Sequence, residues 1–440
     1  MRRGEKKEMV GVELGGLSLE LLRDQYRHDL FEEFLPFMEK YIIDHEYGGF
    51  MCDVDPNGNL LSTRKESWFE GRGIWVYSFL YRNFGMHPKY LEIANKSLQF
   101  ILKLKPHGDT LWPERFSREG DPLTAPATSI YGDLFIAEGL AEYSRASGEV
   151  KYWDMAKEII LKCLRIYDSP RYEPNIVASY MALSGFPFPG ARIQGVSMVL
   201  TRIISQMLEV GADEDLERIV SQCVDAVLNY HYNPEFELNN ELLNHDYSRP
   251  SNELGQFVYI GHAIETLWIL LFEAARLKDK SLFETCMQRF QRHVEVAWDD
   301  VYGGVFRSLN NVDQNLWTLD KVLWEQEEVL IGSLFIYEQT GNPWAGEMFG
   351  GMFNYVQQNY PLRECGSPLW KSAADRQVSL HSQFSSEAQT ALHLGALEHY
   401  HHPRHLMLDL LCIERMIRAA EAAGRSSSSD PSPTGMEENG

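Results

Sequence analysis

The chain has 440 residues, of which 44% are hydrophobic and 12% are aromatic, so it can bury a large core. Its formal net charge of −22 argues against binding to nucleic acid or to anionic membranes, because both require lysine and arginine to meet negative charge. No apolar run approaches the ~20 residues that span a bilayer. No apolar stretch follows the charged start of the chain, so we expect no secretion signal.

The six cysteines are scattered along the chain. The nearest two, Cys365 and Cys412, are 47 residues apart, so neither a CxxC motif nor a zinc-like spacing is present. Isolated cysteines in a large chain usually serve as small buried hydrophobes. Together with the missing signal, they predict a reducing, cytoplasmic location.

Helical periodicity dominates most of the chain. Residues 1–10 and the Ser/Pro/Gly-rich residues 425–440 are expected to lie outside the fold, the latter as a disordered tail. No interior stretch resembles a linker, so residues 11–424 are predicted to form a single domain. The predicted helices are 19–43, 66–84, 89–105, 129–147, 150–167, 193–210, 213–230, 257–278, 280–298, 321–340, 343–360, 384–400 and 404–422.

Short and long connectors alternate between these helices. Residues 86–88 and 147–150 are short connectors within pairs, whereas long loops such as 106–128 and 231–256 join one pair to the next. This alternation indicates repeated helical hairpins, and six of them closing into a ring would make a double-layered toroid. The fold class predicted is therefore all-α.

Two segments resemble each other and predict short β-hairpins folded over one mouth of the ring. EYGGF (46–50) precedes MCDVDPNGNL, and VYGGV (301–305) precedes FRSLNNVD. Each combines a Gly-Gly turn with a following hairpin pattern. Chance similarity is the alternative, and the sequence leaves both readings open.

The even-numbered predicted helices differ in composition from the odd-numbered ones. Segments such as SWFEGRGIWVYSFLY and SSEAQTALHLGAL (385–397) are rich in Gly, Ala, Ser and aromatic residues and poor in lysine. They fit an inner ring, where backbones approach closely. Odd helices such as KYLEIANKSLQFILKL carry charge on one face, which is typical of an outer, solvated ring.

The inner helices also hold unusual polar residues. Arg72 lies among aromatic residues in WFEGRGIWVY and is predicted to clamp an anion in the cavity, the alternative being an arginine that snorkels over Trp68 and Trp75. His262 and Glu265 are three residues apart and share a helix face. This pair is a candidate for an oriented acid/base, the alternative being a core histidine.

Two further segments carry candidates. In LWEQEEVL, either Glu327 or Glu328 is expected to face water, because buried glutamate is rare unless paired. EHYHHPRH offers either a metal site or one functional histidine at a corner between two helices. Pro403 is expected to break the i, i+4 relation of His401 and His405, which argues against the metal site.

Neither a GxGxxG nor a GxxxxGK[ST] phosphate loop is present, and no GxSxG elbow follows a strand. These absences argue against nucleotide cofactors and serine hydrolase chemistry.

The motifs as a set resemble the N-acylglucosamine 2-epimerase family. They are YGGFMCDVDPNGNL, KESWFEGRGIWVYSFLY, SIYGDLFIAEGLAEYSRASGE, GHAIETLWIL, LDKVLWEQEEVL and YHHPRHL, and the resemblance covers about residues 20–415. It implies an (α/α)6 barrel, a homodimer, and sugar chemistry without metal or organic cofactor. Position by position, it places catalytic roles on Arg72, His262, Glu265, Glu328 and His401.

Four positions depart from the family pattern. Glu70 replaces a Gln before Gly-Arg, Leu323 replaces the first residue of a Trp pair, Glu325 stands where Pro is common, and His402 replaces an apolar residue. The resemblance therefore fixes the superfamily better than the substrate.

The expected reaction is the interconversion of N-acyl-D-glucosamine and N-acyl-D-mannosamine through an enediolate. Two acid/base groups must flank the reacting plane, and His262 and His401 are the predicted pair. Arg72 would stabilise the oxyanion, and Glu265 and Glu328 would orient the histidines or help open the sugar ring. The aromatic residues expected to wall the cavity are Trp68, Trp112, Trp268 and Trp324.

Other functions fit the same pattern. A mannose-type aldose–ketose isomerase and a cellobiose 2-epimerase would use the same acid/base set. A glycoside hydrolase needs two carboxylates, which Asp133, Glu265 and Glu328 could supply, although the two histidines would then lack a role. A non-enzymatic binding protein would have no need for two candidate bases.

Overall fold

The computed structural model describes residues 12–54, 59–173, 188–362, 370, 373–374 and 399–427. The predicted tail beyond residue 427 and most of the predicted helix 384–400 lie outside these residues. Within them, no helix is both long enough and apolar enough to cross a membrane.

The main helices of the described residues follow the predicted order closely. His28–Phe34, Leu35–Phe37 and Met38–Ile42 extend the first helix as alternating π- and α-helical turns. The helices are α1 Leu19–Arg27, α2 Ser67–Asn83, α3 Pro88–Lys103, α4 Tyr131–Ser147, α5 Val150–Tyr167, α6 Gln194–Leu208, α7 Glu214–Asp225, α8 Ile260–Leu277, α9 Lys280–Ala297, α10 Leu323–Thr340, α11 Pro343–Asn359 and α12 His401–Ser427.

Local signals in the sequence set several helix ends. Asp213 and Asp279 cap α7 and α9 by accepting hydrogen bonds from backbone N–H groups of the first turn. Gly148 and Gly341 end α4 and α10 in the left-handed conformation, with φ of 78° and 66°, which glycine adopts without strain.

Even-numbered helices form an inner ring and odd-numbered helices an outer one. α8 buries 13 of its 18 residues, whereas α9, of equal length, buries only 6. Each inner helix packs against its neighbours in the order α2, α4, α6, α8, α10, α12, and α12 returns to α2. The predicted double-layered toroid is confirmed.

Glycine allows the closest approach within the inner ring, between α2 and α4. A Cβ atom on Gly71 would lie 2.3 Å from the carbonyl carbon of Phe135, and one on Gly139 would lie 2.6 Å from the carbonyl oxygen of Gly71. No larger residue fits either position without separating the helices, which explains the Gly-rich composition of the inner segments.

The sixth hairpin differs from the prediction. The predicted outer helix 404–422 is the inner helix α12, and its outer partner is α1 from the other end of the chain. Pro403 does not break this helix. It lies in the first turn, where a backbone N–H has no intrahelical partner, so His401 and His405 stay one turn apart.

Short antiparallel strand pairs lie where inner helices begin, at the end of the barrel that we call the mouth. β5 pairs with β6, β7 with β10, β11 with β12 and β14 with β15, and in each pair the strand named first leads directly into an inner helix. β1–β2, β3–β4, β8–β9 and β12–β13 are hairpins. The strands are β1 Glu13–Leu14, β2 Leu17–Ser18, β3 Asp53–Val54, β4 Leu60–Ser62, β5 Lys65–Glu66, β6 Arg115–Phe116, β7 Arg192–Ile193, β8 Tyr232–Asn233, β9 Leu238–Asn239, β10 Leu242–Leu243, β11 Val258–Tyr259, β12 Ser308–Asn311, β13 Leu316–Thr318, β14 Lys321–Val322 and β15 Ala373–Ala374.

Candidate active site

The predicted polar residues come together in the first two turns of four inner helices. Arg72 is the sixth residue of α2, His262 the third of α8, Glu328 the sixth of α10 and His401 the first of α12. Because these helices all start at the mouth, residues far apart in the sequence meet around one central space.

Arg72 points inward rather than snorkelling over the surface. Its residue is 7% exposed, and its guanidinium lies over the rings of Phe135 at 4.1 Å and Tyr400 at 4.4 Å. Its Nη2 atom lies 3.3 Å from Nε2 of His401. A fixed positive charge therefore stands beside one of the two candidate bases.

His401 is held between a cation and a carboxylate. Its Nδ1 lies 2.9 Å from Oε1 of Glu328, while Arg72, which can only donate, faces Nε2. Nδ1 also lies 2.9 Å from Nη2 of Arg404, which is itself bonded to Glu328. With the proton on Nδ1 donated to Glu328, the lone pair of Nε2 faces Arg72. Burial, reinforced by the charges of Arg404 and Arg72, lowers the pKa of His401 well below its usual value, so its imidazole is neutral and able to accept a proton.

Arg404, which the sequence prediction did not include, lies beneath this pair. It is fully buried, donates to Oε1 of Glu265 at 2.7 Å and also pairs with Glu328. Trp268 donates its indole N–H to Oε2 of Glu328 at 2.5 Å. Arg404 belongs to the YHHPRH motif. Its position as an arginine in an otherwise apolar helix, the same feature that singled out Arg72, could have identified it from the sequence.

The two carboxylates on Arg404 differ in their protonation. Burial opposes the charge of Glu265, but the positive charge of Arg404 outweighs it and lowers the pKa of Glu265. For Glu328, burial dominates and the charge of Glu265 adds to it, so its pKa is raised.

His262 is oriented by a residue that the sequence analysis did not identify. Its Nδ1 lies 2.9 Å from Oε1 of Glu241, which is fully buried in the loop between β9 and β10. The predicted partner Glu265 bonds Arg404 instead, so the idea that Glu265 orients His262 is wrong. A short polar run, NNE (239–241), has no periodicity that would have distinguished Glu241.

Of the four tryptophans predicted to line the cavity, two lie beside the candidate histidines and Arg72. Trp324 is half-buried, and its ring lies 6.0 Å from that of His262 and 5.1 Å from that of His401. Trp68 is half-buried beside Arg72, at 5.0 Å. Trp268 lies below them, bonded to Glu328.

Trp112 does not belong to this group. It is completely buried and donates its indole N–H to the carbonyl of Ile101 on α3, at 3.2 Å. The ammonium of Lys162 lies 5.0 Å from its ring. The prediction that Trp112 walls the cavity is therefore wrong, because the long loop that carries it turns its side chain into the layer between inner and outer helices.

Three groups of side chains in the described residues have the composition of a metal site. One of them, His28, Asp29 and Glu33, is partly exposed, and the other two are buried. Glu265, Glu328 and His401 form one buried group, and Glu327, His402 and His405 form the other, with ligand atoms within 4.8 Å of one another in each. In the first buried group Arg404 already bonds both carboxylates, so a guanidinium stands where a cation would bind. In the second, His402 and Glu327 bond each other at 2.5 Å. The expectation that one of Glu327 and Glu328 faces water is wrong, since both are buried.

Each carboxylate proposed for glycoside hydrolysis is paired with a lysine or arginine side chain. Asp133 lies 2.5 Å from the ammonium of Lys162 and also accepts the backbone N–H of Trp112. Glu265 and Glu328 are paired with Arg404. The arrangement therefore offers two oriented imidazoles beside an arginine rather than two opposed carboxyl groups.

Comparison with known proteins places this arrangement in a family. A family model described as N-acylglucosamine 2-epimerase (GlcNAc 2-epimerase) matches residues 48–394. The chain belongs to this family. N-acylglucosamine 2-epimerase of Bos taurus is 25% identical over 383 residues, covering 82% of this chain and 86% of the relative. The predicted assignment to isomerase-class sugar epimerases is confirmed.

Solved structures of similar shape support the fold. Cellobiose 2-epimerase from Bacillus thermoamylovorans B4167 matches with a TM-score of 0.72 at 16% identity, covering 90% of this chain and all of that one. A D-mannose isomerase matches with a TM-score of 0.67 at 13% identity, covering 90% of this chain and 97% of that one. The predicted (α/α)6 barrel is confirmed.

Proposed function

We propose that this protein interconverts N-acyl-D-glucosamine and N-acyl-D-mannosamine by moving the proton on C2 of the open-chain sugar. The observation that carries the proposal is the pair of imidazoles around Trp324, His262 and His401, each bonded through Nδ1 to a buried glutamate. A carboxylate on Nδ1 leaves Nε2 as the basic atom and stabilises the imidazolium that forms when it accepts a proton.

The reaction begins when one histidine takes the proton from C2 of the aldehyde form. The electrons of the C2–H bond form a double bond between C1 and C2, and the carbonyl oxygen on C1 becomes negatively charged. This gives an enolate, or an enediolate where C2 carries a hydroxyl group instead of an acylamino group. Arg72, whose charge is permanent, is assigned to stabilise that oxygen.

Epimerisation is completed when the second histidine, which starts the cycle as the imidazolium, donates its Nε2 proton to the opposite face of C2. The first histidine then holds an extra proton and the second lacks one, so exchange with water must reset the pair before the next turnover in the same direction. The product therefore carries a solvent-derived hydrogen on C2.

The named relatives favour the N-acyl sugar over other substrates. N-acylglucosamine 2-epimerases of Bos taurus and Homo sapiens are 25% identical over 82% and 78% of this chain. A cellobiose 2-epimerase of Dictyoglomus turgidum is 21% identical over 74% of it, and one of Bacteroides fragilis aligns with only 30% of it. We also propose a cytoplasmic homodimer. Cys163, Cys223, Cys286 and Cys412 are buried and form no disulfide, which suits a reducing compartment.

Incubation of separate epimers in heavy water tests the proposal. The wild-type protein should interconvert N-acetylglucosamine and N-acetylmannosamine, with one deuterium incorporated at C2 and none at C1, as read by NMR. Deuterium at C1 with ketose formation would instead identify an aldose–ketose isomerase, and turnover of cellobiose but not of the N-acyl sugars would identify a cellobiose 2-epimerase.

The variants His262→Asn and His401→Asn assign the two faces. Each should abolish epimerisation, and each should preserve slow C2 exchange from a different epimer. The exposed His45→Asn is the matched control and should behave as wild type. Full epimerase activity in either active-site variant would show that the two-base mechanism is wrong.

A further inference from the structure

The two YGG segments are copies of one structural module. In the first, the backbone N–H of Asp44 donates to the carbonyl of Gly49 at 2.9 Å, and the N–H of Gly48 donates to the carbonyl of Asp44 at 2.8 Å. The buried ammonium of Lys65 lies 3.0 Å from the carboxylate of Asp44 and donates to the carbonyl of Gly48. A buried ion pair therefore closes the Gly-Gly turn.

The second module repeats each of these contacts. The N–H of Asp299 donates to the carbonyl of Gly304 at 2.9 Å, and that of Gly303 donates to the carbonyl of Asp299 at 2.8 Å. The buried ammonium of Lys321 lies 2.8 Å from Asp299 and donates to the carbonyl of Gly303. The similarity between the two sequence segments is structural and not a chance match.

One side chain of the following helix holds the second module through two hydrogen bonds to the same residue, an arrangement that we call the clamp. The backbone N–H of Val305 donates to Oε1 of Gln326 at 2.7 Å, and Nε2 of Gln326 donates back to the carbonyl of Val305 at 3.0 Å. The same Nε2 lies 3.2 Å from the carbonyl of Val322. An amide suits this position because it presents one acceptor and one donor side by side.

Glu70 occupies the same place in the first module. It stands five residues after Lys65, as Gln326 stands five after Lys321, and its Oε1 accepts the backbone N–H of Phe50 at 2.9 Å. Its Oε2 is buried and has no hydrogen-bond partner among the described residues. In the second module the corresponding atom is the donor Nε2, which faces backbone carbonyls.

We propose that Glu70 is a positioning residue that works as a neutral carboxylic acid, with its proton on Oε2 donated to the carbonyl of Phe50. In this form Glu70 makes the same two-bond clamp as Gln326. An ionised Glu70 would present only acceptors, so one of the two bonds would be lost and a charge would face a carbonyl oxygen.

The surroundings of Glu70 favour the neutral form. Burial raises the pKa of Glu70 to about 8, against the opposing positive charge of Lys65 and with a small contribution from the negative charge of Asp44. Lys65 is committed to Asp44 at 3.0 Å, and Arg118 holds the same carboxylate at 2.9 Å. Arg118 also lies 3.1 Å from the carboxylate of Glu46. Two cations therefore face two carboxylates, and the ammonium of Lys65 is bonded to Asp44 and not to Glu70.

The clamp matters for the active site because it fixes the helix turns that carry cavity residues. Arg72 follows Glu70 by two residues and Trp68 precedes it by two, and Glu328 and Trp324 stand in the same relation to Gln326. Both helices flank α12, so the two modules position the groups on either side of His401. What Arg72 does there rests on the proposed function.

The pH dependence of thermal unfolding tests the protonation of Glu70. Between its unfolded-state pKa of about 4.5 and its folded-state pKa of about 8, the folded protein holds a proton that the unfolded chain has released, so stability falls as pH rises through this window and is level above it. Glu70→Gln removes this loss. Its unfolding temperature should exceed that of wild type by a margin that grows up to about pH 8 and is then constant.

The reciprocal variant is the matched control. Gln326→Glu should acquire the pH-dependent loss that Glu70→Gln removes, because it places a carboxyl group in the second clamp. If Gln326→Glu fails to fold, the comparison of Glu70→Gln with wild type still shows whether Glu70 is protonated. A margin that does not vary with pH would show that Glu70 is ionised throughout, and the proposal would be wrong.

A second measurement separates a positioning role from a purely structural one. The pH profile of kcat, normalised to its own maximum, should fall on the alkaline side at higher pH in Glu70→Gln than in wild type, by about one pH unit or more. Identical profiles would rule out the positioning role. Failure of the proposed function would instead appear as absence of C2 exchange in both proteins, while the unfolding measurement would still report on Glu70.

Discussion

At the scale of single residues, the two candidate bases are oriented in the same way but differ in their surroundings. Each imidazole bonds a buried glutamate through Nδ1, Glu241 for His262 and Glu328 for His401. Only His401 also faces an arginine, at 3.3 Å. This asymmetry suggests that the enolate oxygen lies on the His401 side of the cavity, where Arg72 can reach it.

Replacing Arg72 tests the oxyanion role. Arg72→Lys keeps the charge but loses the planar fork that rests on the rings of Phe135 and Tyr400. We expect kcat to fall on the order of 10²-fold or more, the loss that follows removal of one oxyanion donor, with the unfolding temperature little changed. Turnover near that of wild type would show that Arg72 is peripheral to the chemistry.

Replacing Glu241 tests the orientation of His262. Glu241→Gln removes the negative charge that stabilises the imidazolium and offers a donor that favours the wrong tautomer. The comparable change in a Ser–His–Asp triad costs about 10⁴-fold in kcat, so we expect a loss of about 10²-fold or more with KM largely retained.

The exposed Glu253→Gln is the control for this variant and should leave both constants unchanged. A rise in KM with unchanged kcat would mean that Glu241 contacts the sugar instead of orienting the histidine.

The sequence located the polar residues that meet in the candidate site better than the residues that hold them in place. Arg72, His262 and His401 stand out because polar groups are rare in Gly-rich, apolar helices. Glu241 lies in a loop without periodicity, and its contact with His262 exists only after β10 has paired with β7. Such a contact depends on tertiary packing and leaves no local pattern.

At the scale of elements, the module around each Gly-Gly turn is the repeated unit. Lys321 is completely buried and bonds both Asp299 and the turn carbonyl of Gly303. Because α10 begins two residues later, the ion pair fixes the path of the chain into the helix that carries Trp324 and Glu328.

Breaking this ion pair should destabilise the fold. Lys321→Met leaves the carboxylate of Asp299 buried without its partner, which typically costs about 3–5 kcal/mol. Urea unfolding should show this loss, whereas Lys280→Met at the exposed start of α9 should stay within about 0.5 kcal/mol of wild type. A change below about 1 kcal/mol for Lys321→Met would mean that solvent reaches Asp299 and replaces the ion pair.

Helix positions were predictable, but the role of the last helix was not. Apolar spacing located α12, yet Pro403 suggested a corner within the YHHPRH segment. The helix instead begins at His401, so the proline lies in its first turn. Placing His401 at the start of the helix directs its ring toward the cavity, while His402 turns to Glu327.

At the scale of the whole molecule, the barrel is closed by the two ends of the described chain. α1 packs on α12, and α12 lies between α10 and α2 in the inner ring. Hairpin counting from the sequence assigned the sixth pair to neighbouring segments, because sequence periodicity reveals adjacent helices and not pairings across several hundred residues. His401 reaches Arg72 only through this closure, so the candidate site is complete only when the ring is closed.

Catalysis by two histidines and an arginine predicts that no metal is required. In the group of Glu265, Glu328 and His401, the guanidinium of Arg404 bonds both carboxylates and supplies the positive charge that a bound cation would otherwise provide. Prolonged dialysis against EDTA should therefore leave kcat for epimerisation unchanged, and elemental analysis before and after dialysis should show whether a metal was removed. Metal that is lost without change in kcat would point to the second group, Glu327, His402 and His405, as a structural site. Loss of turnover on chelation, restored by zinc or manganese, would contradict the two-histidine mechanism.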